Sequence, residues 1–226
     1  MIKCSMIRFL DILFSGFAIL ILSPLFVVIS ILLRFTGEGE VLYFQKRVGL
    51  NKDEFDLIKF VTMVKNSSSI GTGTITIKND PRILPVGSFL RKTKINELPQ
   101  LFNVLKGDMS VIGPRPQTNR CFQAFSEEAQ DKISLSSPGL SGIGSVVFRG
   151  EENMMNKAKD ADYLYDNIIM PYKGLLEIWY VENRNIKTYF SLIFCTLWVI
   201  IFSKSKIYFK LFSNLPPVPD QLKELL

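Results

Sequence analysis

The sequence predicts an α+β protein: an apolar N-terminal helix inserted in a membrane, then a small, mostly helical domain with short strands and amphipathic helices at the membrane interface. Three observations carry this expectation. Residues 12–33 form one uncharged, apolar stretch. Between residues 37 and 186, short apolar runs alternate with turns. Residues 189–202 form a second apolar run, followed by Lys204, Lys206 and Lys210. The chain of 226 residues therefore reads as an N-terminal anchor (1–36), one central domain (37–186), and a C-terminal interfacial helix and tail (187–226).

Composition excludes several chemistries. The chain has no histidine, which removes Ser-His-Asp and Cys-His catalysis and His-ligated zinc. Cys4, Cys121 and Cys195 are too few and too far apart for a Cys₄ site or a disulfide framework. Chemistry must come from carboxylates, Lys, Arg, Tyr, Ser/Thr or an added metal. The net charge of +6 lies beside apolar segments, with no groove-reading motif or aromatic RNA platform, so phosphates and lipid headgroups are the expected partners and nucleic acid is not.

The elements follow in order. At 1.5 Å per residue the first apolar stretch extends roughly 33 Å, about the thickness of a bilayer's hydrocarbon core. Ser23 and Pro24 lie near its middle. Proline removes an amide hydrogen bond there, and a neighbouring serine hydroxyl can satisfy a freed backbone group. Two readings stand: a kinked spanning helix, or a hairpin that enters and leaves by one face. Lys3 and Arg8 before the stretch and Arg34 after it place cations at both ends, so charge asymmetry favours neither orientation. Residues 41–47 and 55–61 read as short strands about a turn at 49–53. The loop at 67–74 is polar, and its Gly71 and Gly73 lack the context of a nucleotide fingerprint.

The sharpest local signal is Lys94-Ile-Asn-Glu-Leu-Pro-Gln-Leu-Phe-Asn-Val-Leu-Lys-Gly107. Asn96 is placed to cap a helix, with Glu97 and Pro99 in its first turn and Gly107 ending it. Leu98, Leu101, Phe102 and Leu105 recur at helical spacing. Arg91, Lys92 and Lys94 precede this helix, where a diphosphate could dock. A strand at 109–112 then leads to Arg115, held between Pro114 and Pro116. A stiff loop presenting a planar guanidinium is a candidate phosphate clamp, beside the plainer reading of a turn with an exposed arginine. The run at 189–202 is short for a span and long enough for an interfacial or a core helix.

Taken together these segments resemble the bacterial sugar transferase family, the small monotopic polyprenyl-phosphate phosphoglycosyl transferases. The matching pieces run from Arg8-Phe-Leu-Asp11 and Ser23-Pro24 through Phe44-Gln-Lys-Arg-Val-Gly49, Lys59-Phe-Val-Thr-Met63 and Asp80-Pro-Arg-Ile83 to Gly87-Ser-Phe-Leu-Arg-Lys-Thr93. They continue with Asn96-Glu-Leu-Pro-Gln100, Gly107-Asp-Met-Ser110, Gly113-Pro-Arg-Pro116 and Pro138-Gly-Leu-Ser-Gly142. The resemblance implies transfer of a sugar-1-phosphate from a UDP-sugar to undecaprenyl phosphate, with release of UMP, at the cytoplasmic face of the bacterial inner membrane. It implies Mg²⁺ as cofactor and membrane lipid as a partner, leaves room for a homo-oligomer, and favours a re-entrant hairpin anchored by Arg8 and bent at Ser23 and Pro24. Catalysis would fall to Glu97, also the metal ligand, together with Asn96, and substrate binding to Lys59, Arg91, Asp108 and Arg115.

Two positions depart from the family pattern. Asn96 stands where the family carries its nucleophilic Asp, and Val61 where it usually has a basic residue. An amide cannot form an acyl phosphate. The chain would then use Glu97 as nucleophile or metal ligand, let the acceptor phosphate attack directly, or follow the family route with a different donor geometry. The alternative is a catalytically impaired, membrane-anchored relative with a binding or assembly role. Sugar specificity is expected in the loops at 67–74 and 144–160, where Arg149, Glu151 and Glu152 cluster.

Overall fold

The computed structural model describes residues 2–36, 38–67, 80–151, 154–155, 160–223 and 225. Most of the 67–74 loop, and Glu152 in the 144–160 segment, lie outside the described residues.

Helix α1 (Ile2–Thr36) runs through Pro24 as one helix and is long and apolar enough to cross a membrane. Pro24 has no N–H to offer the Leu20 carbonyl four residues back. Ser23 Oγ donates to that carbonyl at 2.8 Å, so the expected repair by the adjacent serine is present. Around this point the side chains stand exposed, Leu20 at 71%. The two ends of α1 behave differently. Near the N-terminus, Ile7 enters the main core. Towards the C-terminus, Ile29 and Leu33 pack with Phe60 and Leu90, and the Phe26 ring meets Phe60 and Phe102, each at 5.6 Å between centroids.

Strands β1 (Leu42–Val48) and β2 (Glu54–Phe60) form an antiparallel pair, each one residue displaced from the expected bounds. Asn51 and Lys52 turn the chain between them with positive φ. Helix α2 (Pro85–Lys92) opens with proline, whose missing N–H has no helical acceptor to lose in the first turn. Lys94 then adopts a left-handed conformation and starts a 3₁₀ turn over Ile95–Glu97, which leads into α3 (Gln100–Lys106).

One expectation for this segment is corrected. Asn96 is not the cap: the left-handed Lys94 begins the helical turn earlier, so Asn96 lies inside it, buried, with Oδ1 unpartnered. The buried face of α3 is a mixed one: Gln100, Asn103 and Val104 face inward, while Phe102 is 42% exposed and Leu105 is exposed as well. The cause is Asn103. Its Nδ2 donates to the Asp56 carbonyl (2.8 Å) and its Oδ1 accepts from the Ile58 amide (3.0 Å), docking α3 on β2 through a polar residue. Gly107 ends α3 in the left-handed region, as expected. Arg8 donates to the Val104 and Leu105 carbonyls at 2.5 and 2.7 Å, placing a cation at the negative end of α3.

Strand β3 (Ser110–Ile112) pairs in parallel with β4 (Gly139–Ser141), the crossover carrying α4 (Asn119–Gln123) and α5 (Glu127–Ile133). Ser126 Oγ caps α5 by accepting from the Ala129 amide at 3.3 Å. Gly113 and Gly139 let these backbones meet: a Cβ on Gly139 would lie 2.1 Å from the Gly113 nitrogen. After α6 (Ile143–Val147) comes α7 (Ala161–Leu164), a π segment (Tyr165–Ile169) and α8 (Met170–Glu182). Pro171, unable to donate within a regular helix, stands at the second position of α8, just after the π segment.

Helix α9 (Ile186–Ile201) answers the second apolar run, with Asn185 as its cap. One face is buried and the other exposed. Tyr189, Leu192, Cys195 and Val199 are core residues, whereas Phe190, Phe194, Leu197 and Ile201 stay exposed. Short helices α10 (Ile207–Leu211) and α11 (Asp220–Lys223) close the chain, their Tyr208 and Leu222 reaching the main core.

One carboxylate ties these layers together. Asp11, 2% exposed, accepts from the Val111 amide and from the Tyr189 hydroxyl, each at 2.9 Å. Asp11→Leu leaves two buried donors unpaired, at about 1–3 kcal/mol each. Thermal unfolding in detergent should show a clearly lowered Tm for Asp11→Leu, and a smaller loss for Asp11→Asn, which keeps an acceptor.

Candidate active site

The β1–β2 hairpin builds one wall of the site by strand periodicity. Gln45 pairs with Leu57 across the ladder, so Gln45, Arg47, Leu57 and Lys59 share one face. Gln45 Oε1 accepts from Arg47 Nη2 (2.8 Å) and from Lys59 Nζ (3.4 Å), holding the two cations side by side. Arg47 Nη1 also donates to the Pro116 carbonyl at 3.1 Å, joining this wall to the Arg115 loop. Glu97 enters from the end of the 3₁₀ turn, with Gln100 beside it at the start of α3. Between them lies a small open cleft, lined by Arg47, Lys59, Arg115 and Glu97 among others.

Three cations thus face one carboxylate. Burial pushes Lys59 down to about 8; Arg47, Arg115 and Arg91 push the same way and Glu97 opposes them. Arg47 is lowered by burial and then by Arg115. Cations held this close are under electrostatic stress that an incoming anion relieves. A phosphate or diphosphate fits that role, with arginine forks on its oxygens.

The expected site residues divide into two groups. Lys59, Glu97 and Arg115 converge on the cleft. Arg91 is near enough to lower Lys59, while its guanidinium rests 3.8 Å from Met63 Sδ. Asn96 adjoins Glu97 but is buried. Asp108 faces elsewhere, meeting Lys106 and Asn103, each at 3.2 Å. Arg8, Ser23 and Pro24 belong to α1, with Arg8 serving α3 rather than the cleft. The individual roles of Arg47, Gln45 and Gln100 were not apparent from the sequence; the register of the hairpin about residues 49–53 would have put Arg47 and Gln45 on the same face as Lys59.

Among the described residues no group of three metal-ligating side chains occurs. Magnesium usually keeps several waters and is held by one or two carboxylates together with substrate phosphates. Glu97, the one carboxylate lining the open cationic cleft, is compatible with an ion that arrives with a diphosphate. It does not form a dedicated protein cage.

A cationic cleft with a single acid and a helix long and apolar enough to cross a membrane thus occur in one chain. The model of the family described as Bacterial sugar transferase matches residues 2–203, and the chain belongs to that family. It is 32% identical over 188 residues to the exopolysaccharide production protein ExoY of Rhizobium meliloti, covering 74% of this chain and 83% of that one. It is 32% identical over 208 residues to the undecaprenyl-phosphate galactose phosphotransferase of Salmonella typhimurium, covering 86% of this chain and 40% of that protein. A putative undecaprenyl-phosphate N-acetylgalactosaminyl 1-phosphate transferase of Bacillus subtilis is 42% identical over 126 residues, 56% of this chain and 68% of the relative. Against an uncharacterized sugar transferase of Haemophilus influenzae, as against the Salmonella protein, the chain spans 40% of the relative's length.

The lowered Lys59 sets a pH dependence. Its charge is complete below about 8 and is lost as pH rises through that value. Inorganic diphosphate, titrated calorimetrically, should bind about tenfold more weakly at alkaline than at neutral pH, the worth of one charge-assisted hydrogen bond. Lys59→Arg should flatten this dependence.

Proposed function

We propose that this chain transfers a sugar-1-phosphate from a UDP-sugar to undecaprenyl phosphate at the cytoplasmic face of the bacterial inner membrane, releasing UMP. The observation that carries the reading is the meeting of Glu97 with Arg47, Lys59 and Arg115 in one cleft. The names of the Salmonella and Bacillus relatives, both undecaprenyl-phosphate sugar transferases, support the acceptor.

In this reading Arg47, Lys59 and Arg115 bind the donor diphosphate and stabilise the charge that develops in transfer. An oxygen of the acceptor phosphate forms a bond to the sugar-linked phosphorus. The bond from that phosphorus to the bridging oxygen breaks, and the electron pair leaves with UMP. Asn96 has no carboxylate to take the nucleophile's place, so direct attack with Glu97 orienting the reacting phosphates is the simplest route. Mg²⁺, when bound, would be held by Glu97 and would neutralise phosphate charge.

The anchor reading is a re-entrant helix. Its support is that both arms of α1 rest on the same domain, Arg8 and Asp11 at one end and Phe26, Ile29 and Leu33 at the other. The exposed turn around Leu20, with its carbonyl satisfied by Ser23, would then lie deepest in the lipid. The exposed faces of α3 and α9 would rest in the interface. A second reading, a catalytically impaired binding relative, is favoured only by Asn96.

Purified protein in nanodiscs should release UMP from at least one UDP-sugar, dependent on Mg²⁺ and on undecaprenyl phosphate; donor binding without release across a panel would establish the impaired relative. Glu97→Gln should lower turnover by about a hundredfold or more. Asn96→Asp should yield a trappable phosphosugar adduct that the natural chain lacks, whereas an adduct in the natural chain would make Glu97 the nucleophile.

Topology has its own test. With the native cysteines replaced by serine, single cysteines at Ser5 and Glu40 should react with an impermeant maleimide from the same side of sealed vesicles. Labelling from opposite sides would establish a spanning helix.

A further inference from the structure

Behind the cleft, α8 carries a carboxylate that the proposed reaction does not use. Glu177 is 1% exposed. Its Oε1 accepts from the Arg115 backbone amide at 3.3 Å, and its Oε2 has no hydrogen-bond partner. Room for it exists because residue 144 is glycine: a Cβ there would stand 2.3 Å from Glu177 Oε1. Burying a carboxylate on so few partners is unfavourable, and burial raises its pKa to about 7.

The obvious structural explanation is an ion pair with Lys173, one turn earlier. Lys173 Nζ, however, is committed to Glu151 at 2.7 and 2.9 Å. The charged groups facing Glu177 are Lys173 on its own helix and Arg115 on the loop. Helix α6 has no titratable side chain, and α5, packed along α8, sends Lys132 to Glu182 instead. The contact that remains is the Arg115 amide. One turn further along α8, Tyr180 donates to the Ile112 carbonyl at 2.7 Å. Helix α8 therefore grips the segment from β3 to Arg115 at two backbone points.

We propose that Glu177 is a positioning residue for Arg115, holding the loop from behind so that the guanidinium is fixed in the cleft. For its effect on turnover this rests on the assignment of Arg115 to the donor phosphates. The hold is strongest when Glu177 is ionised and weakens as pH falls through about 7, where the carboxyl takes up a proton.

The test reads the full chain in nanodiscs in two ways. Hydrogen exchange at the Arg115 amide, corrected for intrinsic rate, should quicken about tenfold in Glu177→Leu and should slow in the wild type as pH rises through about 7. Glu177→Gln, a milder change that keeps a neutral acceptor, should abolish that pH dependence. Unchanged Arg115 exchange in Glu177→Leu, or a pH response that survives in Glu177→Gln, overturns the proposal whatever the activity. In the UMP-release assay Glu177→Leu should lower kcat/KM by about tenfold, and the loss should vanish when Arg115 is already alanine. An equal loss in both backgrounds shows a general structural role and also overturns it. Absence of UMP release from the wild type would instead reject the transferase reading, while the exchange result still decides the positioning claim.

Discussion

Asp11 sits where the apolar helix α1, strand β3 and helix α9 meet, and its two hydrogen bonds join all three. One reaches the Val111 amide in β3 and the other the Tyr189 hydroxyl in α9. A carboxylate in such surroundings is tolerated only when its lone pairs are occupied. Strand β3 runs on through Gly113 and Pro114 to Arg115. The position of α1 and that of Arg115 are therefore coupled through a path of three residues and one hydrogen bond. Arg8 makes a parallel connection to the end of α3, the helix that begins beside Glu97. The Arg115 loop and the helix beside Glu97 are in this way tied to the arm of α1 that precedes Pro24.

The cleft itself is a deliberate imbalance. Gln45 holds Arg47 and Lys59 together although both are half-buried and of like charge. That arrangement weakens the protonation of Lys59, and an anion between the cations would relieve it. Glu97 supplies one negative pole and leaves the cleft with an excess of positive charge.

Patterns of period and length transferred well from sequence to structure. The two hairpin strands and the glycine end of α3 lie within a residue of expectation, because each depends on local chemistry. The apolar stretch at 12–33 lies inside a longer helix that begins ten residues earlier. Glu97 and Arg115 were singled out by local pattern together with a family likeness, Lys59 by the likeness alone, and all three line the cleft. What was not legible depended on distant contacts. Asn96 looked like a cap until the left-handed Lys94 started the turn early. The helical spacing of Leu98, Leu101, Phe102 and Leu105 did not show that Asn103 docks α3 on β2 and leaves Phe102 and Leu105 exposed. Glu177 reads as an ordinary polar residue of a helix, and nothing in its neighbours along the chain points to the Arg115 amide 62 residues away.

The glycines around the parallel strands have a further consequence. Gly113, Gly139 and Gly142 leave their backbones so close that even a methyl group on Gly139 or Gly142 would collide with Gly113. The backbone beneath Arg115 therefore has no room to give: any side chain at Gly139 or Gly142 would have to push the two strands apart and carry the Arg115 loop with them.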